Sequence, residues 1–299
     1  MDAMPERRGS DTPKSPWLRV RAPDPEKFAR VRRILAEGNV NTVCDVSHCP
    51  NISECWSANS AAFMILGRVC TRNCRFCAVE SGNPGGAVDA TEPERIAKAV
   101  KELELTYAVI TSVTRDDLKD FGAAQFSAVV REIRRASLGT RIELLIPDLQ
   151  ADEGAIATVV DSRPDVIGHN LETVRRLQPV IRDPRADYDV SLRVLRRTKD
   201  LGGGIPTKSS LMLGLGETRA EVVEAMRDLR DADVDALTLG QYLKPGKANI
   251  EVKEYVTPED FDRLREEALR LGFEHVAAGP FVRSSYRAFE FMDSRNEGV

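Results

Sequence analysis

All six cysteines of this 299-residue chain fall between Cys44 and Cys77. They form two sets, which we name the first triplet (Cys44, Cys49 and Cys55) and the second triplet (Cys70, Cys74 and Cys77). Three disulfides are one alternative, but disulfides belong to oxidising compartments and mostly to small secreted domains. The N-terminal residues contain no apolar signal segment. The pattern therefore indicates metal or cluster ligation.

The second triplet has the spacing C-x3-C-x2-C within VCTRNCRFCA. Three thiolates on one short loop can bind three irons of a [4Fe–4S] cluster and leave the fourth open to an exogenous ligand, whereas electron carriers close the cluster with four cysteines. Structural zinc is the alternative, but zinc needs four ligands, and no histidine lies near this triplet. The spacing, with Phe76 between the last two cysteines, is typical of the radical S-adenosylmethionine superfamily.

The first triplet has the spacing C-x4-C-x5-C within CDVSHCPNISECW and also lacks a fourth cysteine. His48 beside Cys49 makes a zinc site of three cysteines and one histidine an alternative. Side chains adjacent in sequence rarely bind one metal ion well, so we favour a second cluster with one ligand that is not cysteine.

Apolar runs alternate with amphipathic patterns along most of the chain. The predicted strands span residues 63–69, 107–113, 142–146, 165–169, 209–214 and 236–242. The predicted helices span residues 25–37, 92–104, 123–136, 152–160, 172–200, 219–232 and 258–271. Alternation predicts a parallel α/β sheet, and six strand–helix units are too few for an eight-stranded barrel. We therefore predict a partial (β/α)6 TIM-like barrel with its site at the carboxyl ends of the strands; a doubly wound sheet is the alternative.

Four segments are expected along the chain. These are a disordered tail (1–16), an N-terminal extension with the first triplet (17–60), the partial barrel (61–273) and a C-terminal segment that closes the site (274–299). The net charge of −4 argues against a general nucleic-acid binder, which would usually be basic. No apolar run approaches the roughly 18 residues of a membrane span. We expect a cytoplasmic protein without nucleic-acid or membrane partners.

Both triplets, in this order, resemble those of the lipoyl synthase family. Further blocks resemble that family in the family's order: TSVTRDDLKD (111–120), IPD (146–148), HNLETV (169–174), KSSLMLGLGET (208–218), LGQYLKP (239–245) and GPFVRSSY (279–286). Two departures stand out. The family usually has D-G-G-A where this chain has Asp120 to Ala123, and K-S-G where it has Lys208 to Ser210.

The resemblance implies a reaction. Octanoyl groups attached to lysines of lipoyl carrier domains would receive sulfur at C6 and C8 and become lipoyl groups. The carrier would be the E2 subunit of a 2-oxoacid dehydrogenase or the H protein of glycine cleavage. S-adenosylmethionine bound to the cluster of the second triplet would give a radical that abstracts hydrogen, after reduction by a donor such as ferredoxin or flavodoxin. The cluster of the first triplet would donate the sulfur. A different radical enzyme and an electron carrier are the competing functions.

The resemblance also implies site residues. The residues expected to hold S-adenosylmethionine are Phe76, Ser112, Arg115, Asn170, Glu172, Gly214, Gly216 and Glu217. No catalytic residue is predicted beyond the cluster ligands, and His169 and His275 are expected to be structural. The resemblance favours Ser285 as the fourth ligand of the first cluster, with Ser284 as its rival. From spacing alone, these serines would instead line or cap the end of the last strand.

Overall fold

The main element of this computed structural model, which describes residues 16–20, 22–58 and 60–297, is a seven-stranded parallel sheet. The strands are β1 (Ala62–Ile65), β2 (Val69–Cys70), β3 (Glu80–Ser81), β4 (Tyr107–Ser112), β5 (Arg141–Leu145), β6 (Val166–Gly168), β7 (Thr207–Leu213), β8 (Ala236–Gln241) and β9 (His275–Gly279). β2 and β3 form a separate parallel pair. Residues 1–15 of the predicted tail lie outside the described residues.

Helices follow most strands, as predicted. They are α1 (Pro25–Glu37), α2 (Val43–Val46), α3 (Ile52–Ser57), α4 (Glu92–Glu102), α5 (Ala123–Ala136), α6 (Glu153–Asp161), α7 (Gln178–Ile181), α8 (Tyr188–Leu201), α9 (Arg219–Asp231), α10 (Pro258–Arg270) and α11 (Phe289–Glu297). The predicted bounds of α1 and α5 are confirmed. The helical material predicted over 172–200 consists of two helices, α7 and α8, and the irregular segment between them contains Pro184.

The order of the sheet is β1-β4-β5-β6-β7-β8-β9, which follows the order of the chain. In a doubly wound sheet the order of the strands reverses at a switch point, so the doubly wound alternative is excluded. In the described part of the chain no ladder joins β1 to β9. The sheet is therefore the open, partial barrel that the sequence predicts.

The seventh strand, β9, was not among the predicted strands. Its sequence, HVAAG, lacks the large apolar side chains that mark the others, and it forms by pairing with the edge of β8 from Ala236 to Gly240. The first strand is shorter than predicted. It ends at Ile65 because Leu66 and Gly67 take positive φ values of 67° and 88°.

Two apolar cores lie between the sheet and the helices. Phe63, Ile110 and Phe126 belong to the core of the N-terminal half, while Met226 and Phe261 belong to that of the C-terminal half. A smaller group occupies another face of β1 and β4: Cys44, Ala62, Tyr107, Val109 and Ala288. The sheet is thus buried on both faces, and the first triplet and the C-terminal segment both contact the smaller group.

Candidate functional site

The second triplet lies on the loop between β2 and β3. β2 ends at Cys70, which pairs with Ser81 of β3, and this pairing closes the loop at its base. Backbone amides point at two of the sulfurs: the amide of Arg72 donates to Cys70 Sγ at 3.4 Å, and the amide of Asp183 donates to Cys74 Sγ at 3.3 Å. Amide donors to sulfur are characteristic of iron–sulfur sites, where they tune the cluster.

Loops from three directions hold this cysteine loop at the carboxyl end of the barrel. The amide of Thr71 donates to the carbonyl of Thr114 beyond β4 at 3.0 Å, and that of Arg75 donates to the carbonyl of Ile181 at 2.9 Å. The side chain of Asn249, beyond β8, donates to the carbonyl of Cys77 at 2.8 Å. These three contacts therefore position the backbone that carries the thiols.

The first triplet lies on α2, α3 and the turn between them. Cys44 belongs to α2 and Cys55 to α3, and the amide of Cys49 donates to the carbonyl of Cys44 at 3.0 Å. Thr42 accepts the amide of Asp45 and so caps α2, while it forms a β-bridge to Phe63 of β1. These short elements place the three thiols beside the edge strand of the barrel.

Burial raises the pKa of Cys44, Cys49 and Cys55 in the first triplet and of Cys74 and Cys77 in the second. The pKa of Cys44 rises to about 11 and that of Cys77 to about 12. Thiols with such values stay protonated at neutral pH unless a bound cation favours the thiolate. In the described residues no three His, Cys, Asp or Glu side chains converge on a position for a single metal ion.

The C-terminal segment reaches the first triplet through side-chain contacts. The side-chain amide of Asn51 donates to the carbonyl of Phe281 at 2.6 Å, and Tyr286 donates to Glu54 at 2.9 Å. Arg283 lies close enough to Cys49 to lower that thiol's pKa, although burial of Cys49 dominates and raises it. The residues on both sides of the serine pair thus face the first triplet.

Gly240 of β8 makes room for this segment. An added Cβ would lie 2.1 Å from the carbonyl oxygen of Val282. The backbone of the C-terminal segment therefore passes directly over β8 at a position where a side chain would collide.

Asn170 and Glu172 follow β6, as predicted. The side chain of Asn170 donates to Glu172 at 3.2 Å and reaches the hydroxyl of Ser284 at 3.5 Å. Burial raises the pKa of Glu172, and its effect exceeds the opposing charge of Arg182. Glu172 in turn influences the pKa of Cys74. These two side chains therefore lie between the second triplet and the C-terminal segment.

Ser112 is the last residue of β4 and Arg115 follows it, but their surroundings differ. The Ser112 hydroxyl is buried and has no hydrogen-bond partner among the described residues, which fits a polar ligand. Arg115 is only 1% exposed, and its guanidinium donates to Asp117 at 2.7 and 2.8 Å and to the carbonyl of Leu66 at 3.3 Å. Because Arg115 is buried and three of its five N–H donors are used inside the fold, the geometry does not favour it as a cofactor ligand.

The glycine-rich turn after β7 is closed by its own carboxylate. Glu217 accepts the amides of Gly214 and Leu215 at 2.5 and 2.9 Å. Gly214 and Gly216 both have positive φ. Thr218 caps α9 in a capping box with Glu221. The turn is thus a strand-to-helix connection whose backbone at Gly216 stays exposed.

Phe76 is half-buried and packs against the C-terminal core. His169 donates or accepts at Nδ1 with the carbonyl of Ile146 at 2.9 Å, and burial lowers its pKa to about 4. The buried ring is neutral, and its Nε2 has no hydrogen-bond partner among the described residues.

Two arginines near the second triplet were missed by sequence reasoning. Arg182 is buried, donates to Ser191 at 3.0 Å and has an Nε without a partner among the described residues. Arg72 is 4% exposed and lies inside the cysteine loop, where it pairs with Asp116 and Asp148. The position of Arg72 between two closely spaced cysteines was the sequence feature that could have indicated its role. Nothing in the sequence distinguished Arg182 from an exposed arginine such as Arg185.

Two solved structures share this architecture. Methylornithine synthase (PylB) superposes with a TM-score of 0.55 at 14% identity, covering 72% of this chain and 70% of its own. The hydrogenase maturase HydG from Carboxydothermus hydrogenoformans gives 0.54 at 13% identity, covering 92% and 79%. Residues 64–229 match the sequence pattern of the Radical SAM superfamily. Together, the fold and the cysteine loop define a radical S-adenosylmethionine enzyme.

Curated relatives identify one family within this class. A lipoyl synthase from Halorhodospira halophila is 52% identical over 96% of this chain and 86% of its own length. Lipoyl synthases from Pyrobaculum calidifontis and Thermus thermophilus are 54% and 50% identical, covering 92% and 93% of this chain and 94% and 86% of their own lengths. The chain belongs to the lipoyl synthase family. No helix in the described residues is long and apolar enough to cross a membrane.

Proposed function

We propose that this enzyme inserts two sulfur atoms, at C6 and C8, into octanoyl groups attached to lysines of lipoyl carrier domains. One observation carries the proposal: two sets of three free cysteines, each without a fourth, are connected through the C-terminal segment. Ser284 of that segment reaches Asn170 beside the second triplet, while Tyr286 reaches Glu54 beside the first. A single-cluster enzyme has no need for the second set.

The second triplet would hold a [4Fe–4S] cluster with one open iron. That cluster, with S-adenosylmethionine, supplies hydrogen-atom abstraction from an aliphatic C–H bond, which no side-chain acid or base can achieve. The chain's own part is to hold the reactants. The fixed loop positions Cys70, Cys74 and Cys77, and the partial barrel shields the reaction from water.

Four positions of the barrel support a cofactor site at its carboxyl end. Three of them lie beside strand ends and one lies within the cysteine loop. At the strand ends are the buried Ser112 hydroxyl, the Asn170–Glu172 pair, and the exposed backbone at Gly216 with Gly214 and Glu217. Phe76 lies within the cysteine loop. We assign S-adenosylmethionine to these four positions. Arg115 is left out of this set because its contacts with Asp117 and Leu66 use its donors.

The first triplet would hold the sulfur-donating cluster, with Ser285 as its fourth ligand. Its neighbours support this choice, since Arg283 and Tyr286 both lie near the cysteines of that triplet. Ser284 is instead within 3.5 Å of Asn170. An alkoxide is a harder ligand than thiolate and matches a sulfide cluster less well. Ser285 would therefore give the cluster one corner that releases easily when sulfur leaves.

The proposed partners are an octanoylated carrier domain, from a 2-oxoacid dehydrogenase E2 or a glycine cleavage H protein, and a low-potential donor such as ferredoxin or flavodoxin. A cytoplasmic location suits both. We also propose that residues 17–60 and 274–299 act as two cluster-holding segments around the barrel.

Mass spectrometry of an octanoylated lipoyl-domain peptide tests the proposal. After anaerobic incubation with the reconstituted chain, reductant and S-adenosylmethionine, the peptide should gain two sulfur atoms. A peptide in which the acylated lysine is replaced by arginine is the control. Formation of deoxyadenosine without any sulfur gain would indicate a different radical enzyme, and no cleavage at all would contradict the proposal.

A further inference from the structure

Arg72 lies between Cys70 and Cys74, yet its side chain turns into the protein. Its Nε and Nη2 donate to Asp116 at 3.0 and 2.9 Å, and its Nη2 also donates to Asp148 at 2.8 Å. A further ion pair joins its Nη1 to Asp148. The side chain of Arg72 is 3% exposed and that of Asp148 is 1% exposed. One guanidinium thus binds two carboxylates in a largely dry site.

The two carboxylates come from rigid parts of the barrel. Asp116 follows β4, and Asp148 follows β5. Asp148 also accepts the amide of Gln150 at 3.1 Å, and the side chain of Gln150 donates to Asp116 at 2.9 Å. Burial alone would raise the pKa of Asp148, but Arg72 holds it below its ordinary value, so this carboxylate is ionised. The carboxylates form a fixed support for the cysteine loop.

This support restrains the backbone on both sides of the Arg72 Cα atom. Arg72 donates its amide to Cys70 Sγ at 3.4 Å, and its carbonyl accepts the Ser81 hydroxyl at 3.0 Å. With the side chain held by two ion pairs and the carbonyl by Ser81, the amide has little freedom to turn away from the sulfur. Hydrogen bonds to the sulfurs are one of the main determinants of an iron–sulfur cluster's reduction potential.

We propose that Arg72 is a positioning residue, whose pairing with Asp116 and Asp148 holds its amide against Cys70 Sγ and so raises the reduction potential of the cluster on the second triplet. The inference rests on the proposed function, because it assumes a cluster at this triplet. The amide places a partial positive charge at the sulfur, and the added electron is therefore stabilised. A purely structural ion pair would stabilise the fold without changing the potential.

The variant Arg72→Lys tests this without changing the charge. Lysine is a point charge without the bidentate fork of arginine. The substitution therefore frees the backbone amide of residue 72 to turn away from Cys70 Sγ, while the net charge is unchanged. Arg134→Lys is the matched control, since Arg134 pairs with Asp165 at 2.7 Å at the start of β6, the opposite end of the barrel. Both variants are made in the full chain with the first triplet changed to alanine, so that a single cluster is titrated.

The measurement is an anaerobic redox titration followed by electron paramagnetic resonance, with iron content determined in parallel. We expect Arg72→Lys to keep its iron but to show about a tenfold lower ratio of reduced to oxidised cluster at fixed potential, which is about 59 mV for one electron. Arg134→Lys should titrate like the parent. Identical potentials for Arg72→Lys and the parent, or equal shifts in both variants, would overturn the inference.

If Arg72→Lys loses its iron, a second charge-conserving variant still tests the inference. Asp116 has a side chain 14% exposed, so Asp116→Glu moves one carboxylate with little effect on packing. It should shift the potential in the same direction, and an unchanged potential would refute the inference. If the parent chain with an intact second triplet bound no iron, the proposed function itself would fail together with this inference.

Discussion

The hydroxyl of Tyr286 donates a hydrogen bond of 2.9 Å to Glu54, although the two residues are 232 positions apart in the chain. Glu54 directly precedes Cys55 of the first triplet, and Tyr286 directly follows Ser285. This contact, together with that from Asn51 to Phe281, joins the two ends of the chain at one site. These contacts bring Ser285 towards the first triplet, as the proposed ligand assignment requires.

The glycine under the C-terminal segment gives the first prediction. Gly240→Ala should displace the segment, because the new Cβ would lie 2.1 Å from the Val282 carbonyl oxygen. We expect the iron of the first triplet to become labile while that of the second is retained, so that bound iron falls by about half on mild chelation. Iron analysis after incubation with a chelator measures this.

Gly279→Ala is the control for Gly240→Ala. Gly279 pairs with Gly240 across the sheet, but a Cβ there would meet only the Val282 side chain at 3.5 Å, an ordinary contact. It should keep its iron. Equal retention of iron by both variants would show that the segment does not secure the first cluster.

The two triplets should divide the reaction between them. Replacing Cys70, Cys74 and Cys77 with alanine should remove about half of roughly eight irons per chain and abolish formation of deoxyadenosine. Replacing Cys44, Cys49 and Cys55 should remove the other half but leave S-adenosylmethionine cleavage intact and stop sulfur transfer. Iron analysis and chromatography of deoxyadenosine distinguish the two. Lipoyl product from the second variant would contradict the assignment of the donor.

Gly214 should be required for binding S-adenosylmethionine. Gly214→Ala places a Cβ 2.2 Å from the side-chain nitrogen of Gln241 and 2.3 Å from the carbonyl oxygen of Glu254, at a φ of +92°. The turn must shift, so we expect affinity for S-adenosylmethionine to fall at least about tenfold, about 1.4 kcal/mol, with iron content unchanged. Equilibrium binding to the anaerobic protein measures this.

Gly216→Ala distinguishes the effect of a steric collision, expected for Gly214→Ala, from the effect of backbone strain. Its φ of +105° is as unfavourable for alanine, at about 1–2 kcal/mol, but the nearest atom to its Cβ is 3.6 Å away. We expect a smaller loss of affinity than for Gly214→Ala. A larger loss for Gly216→Ala would mean that strain, and not the crowding at Gly214, controls the turn.

Much of the fold could be read from local sequence. The bounds of α1 were predictable because Asp24 caps the helix and Pro25 begins it, both of which are local signals. The strand β9 was not predictable, because its small side chains gain their strand structure only by pairing with β8. The break before α8 contains Pro184, which is a local signal. The failure of the predicted helical segment to begin at Glu172 had no local signal, because it follows from the positive φ of 72° at that residue.

The site shows the same division between local and tertiary information. Cysteine spacing predicts two ligand sets because each set is local in sequence. Arg72 and Arg115 look alike in sequence, and only the tertiary structure shows that one is held by Asp116 and Asp148 and the other by Asp117. A contact that depends on two separate strand ends leaves no trace in a single sequence.

Ser285 provides the last prediction. If its oxygen is the fourth ligand of the first cluster, Ser285→Cys should bind the full complement of iron but lose sulfur transfer, because a thiolate matches the cluster better than an alkoxide and does not release that corner. Ser285→Ala should bind the cluster less firmly and also lose product. Ser284→Ala is the matched control, since Ser284 is within 3.5 Å of Asn170, and it should keep the cluster of the first triplet intact. Mass spectrometry of the carrier peptide, with iron analysis on the same samples, measures both properties. Full lipoyl formation by both Ser285 variants would rule this serine out, and loss of the first cluster in Ser284→Ala alone would transfer the assignment to its neighbour.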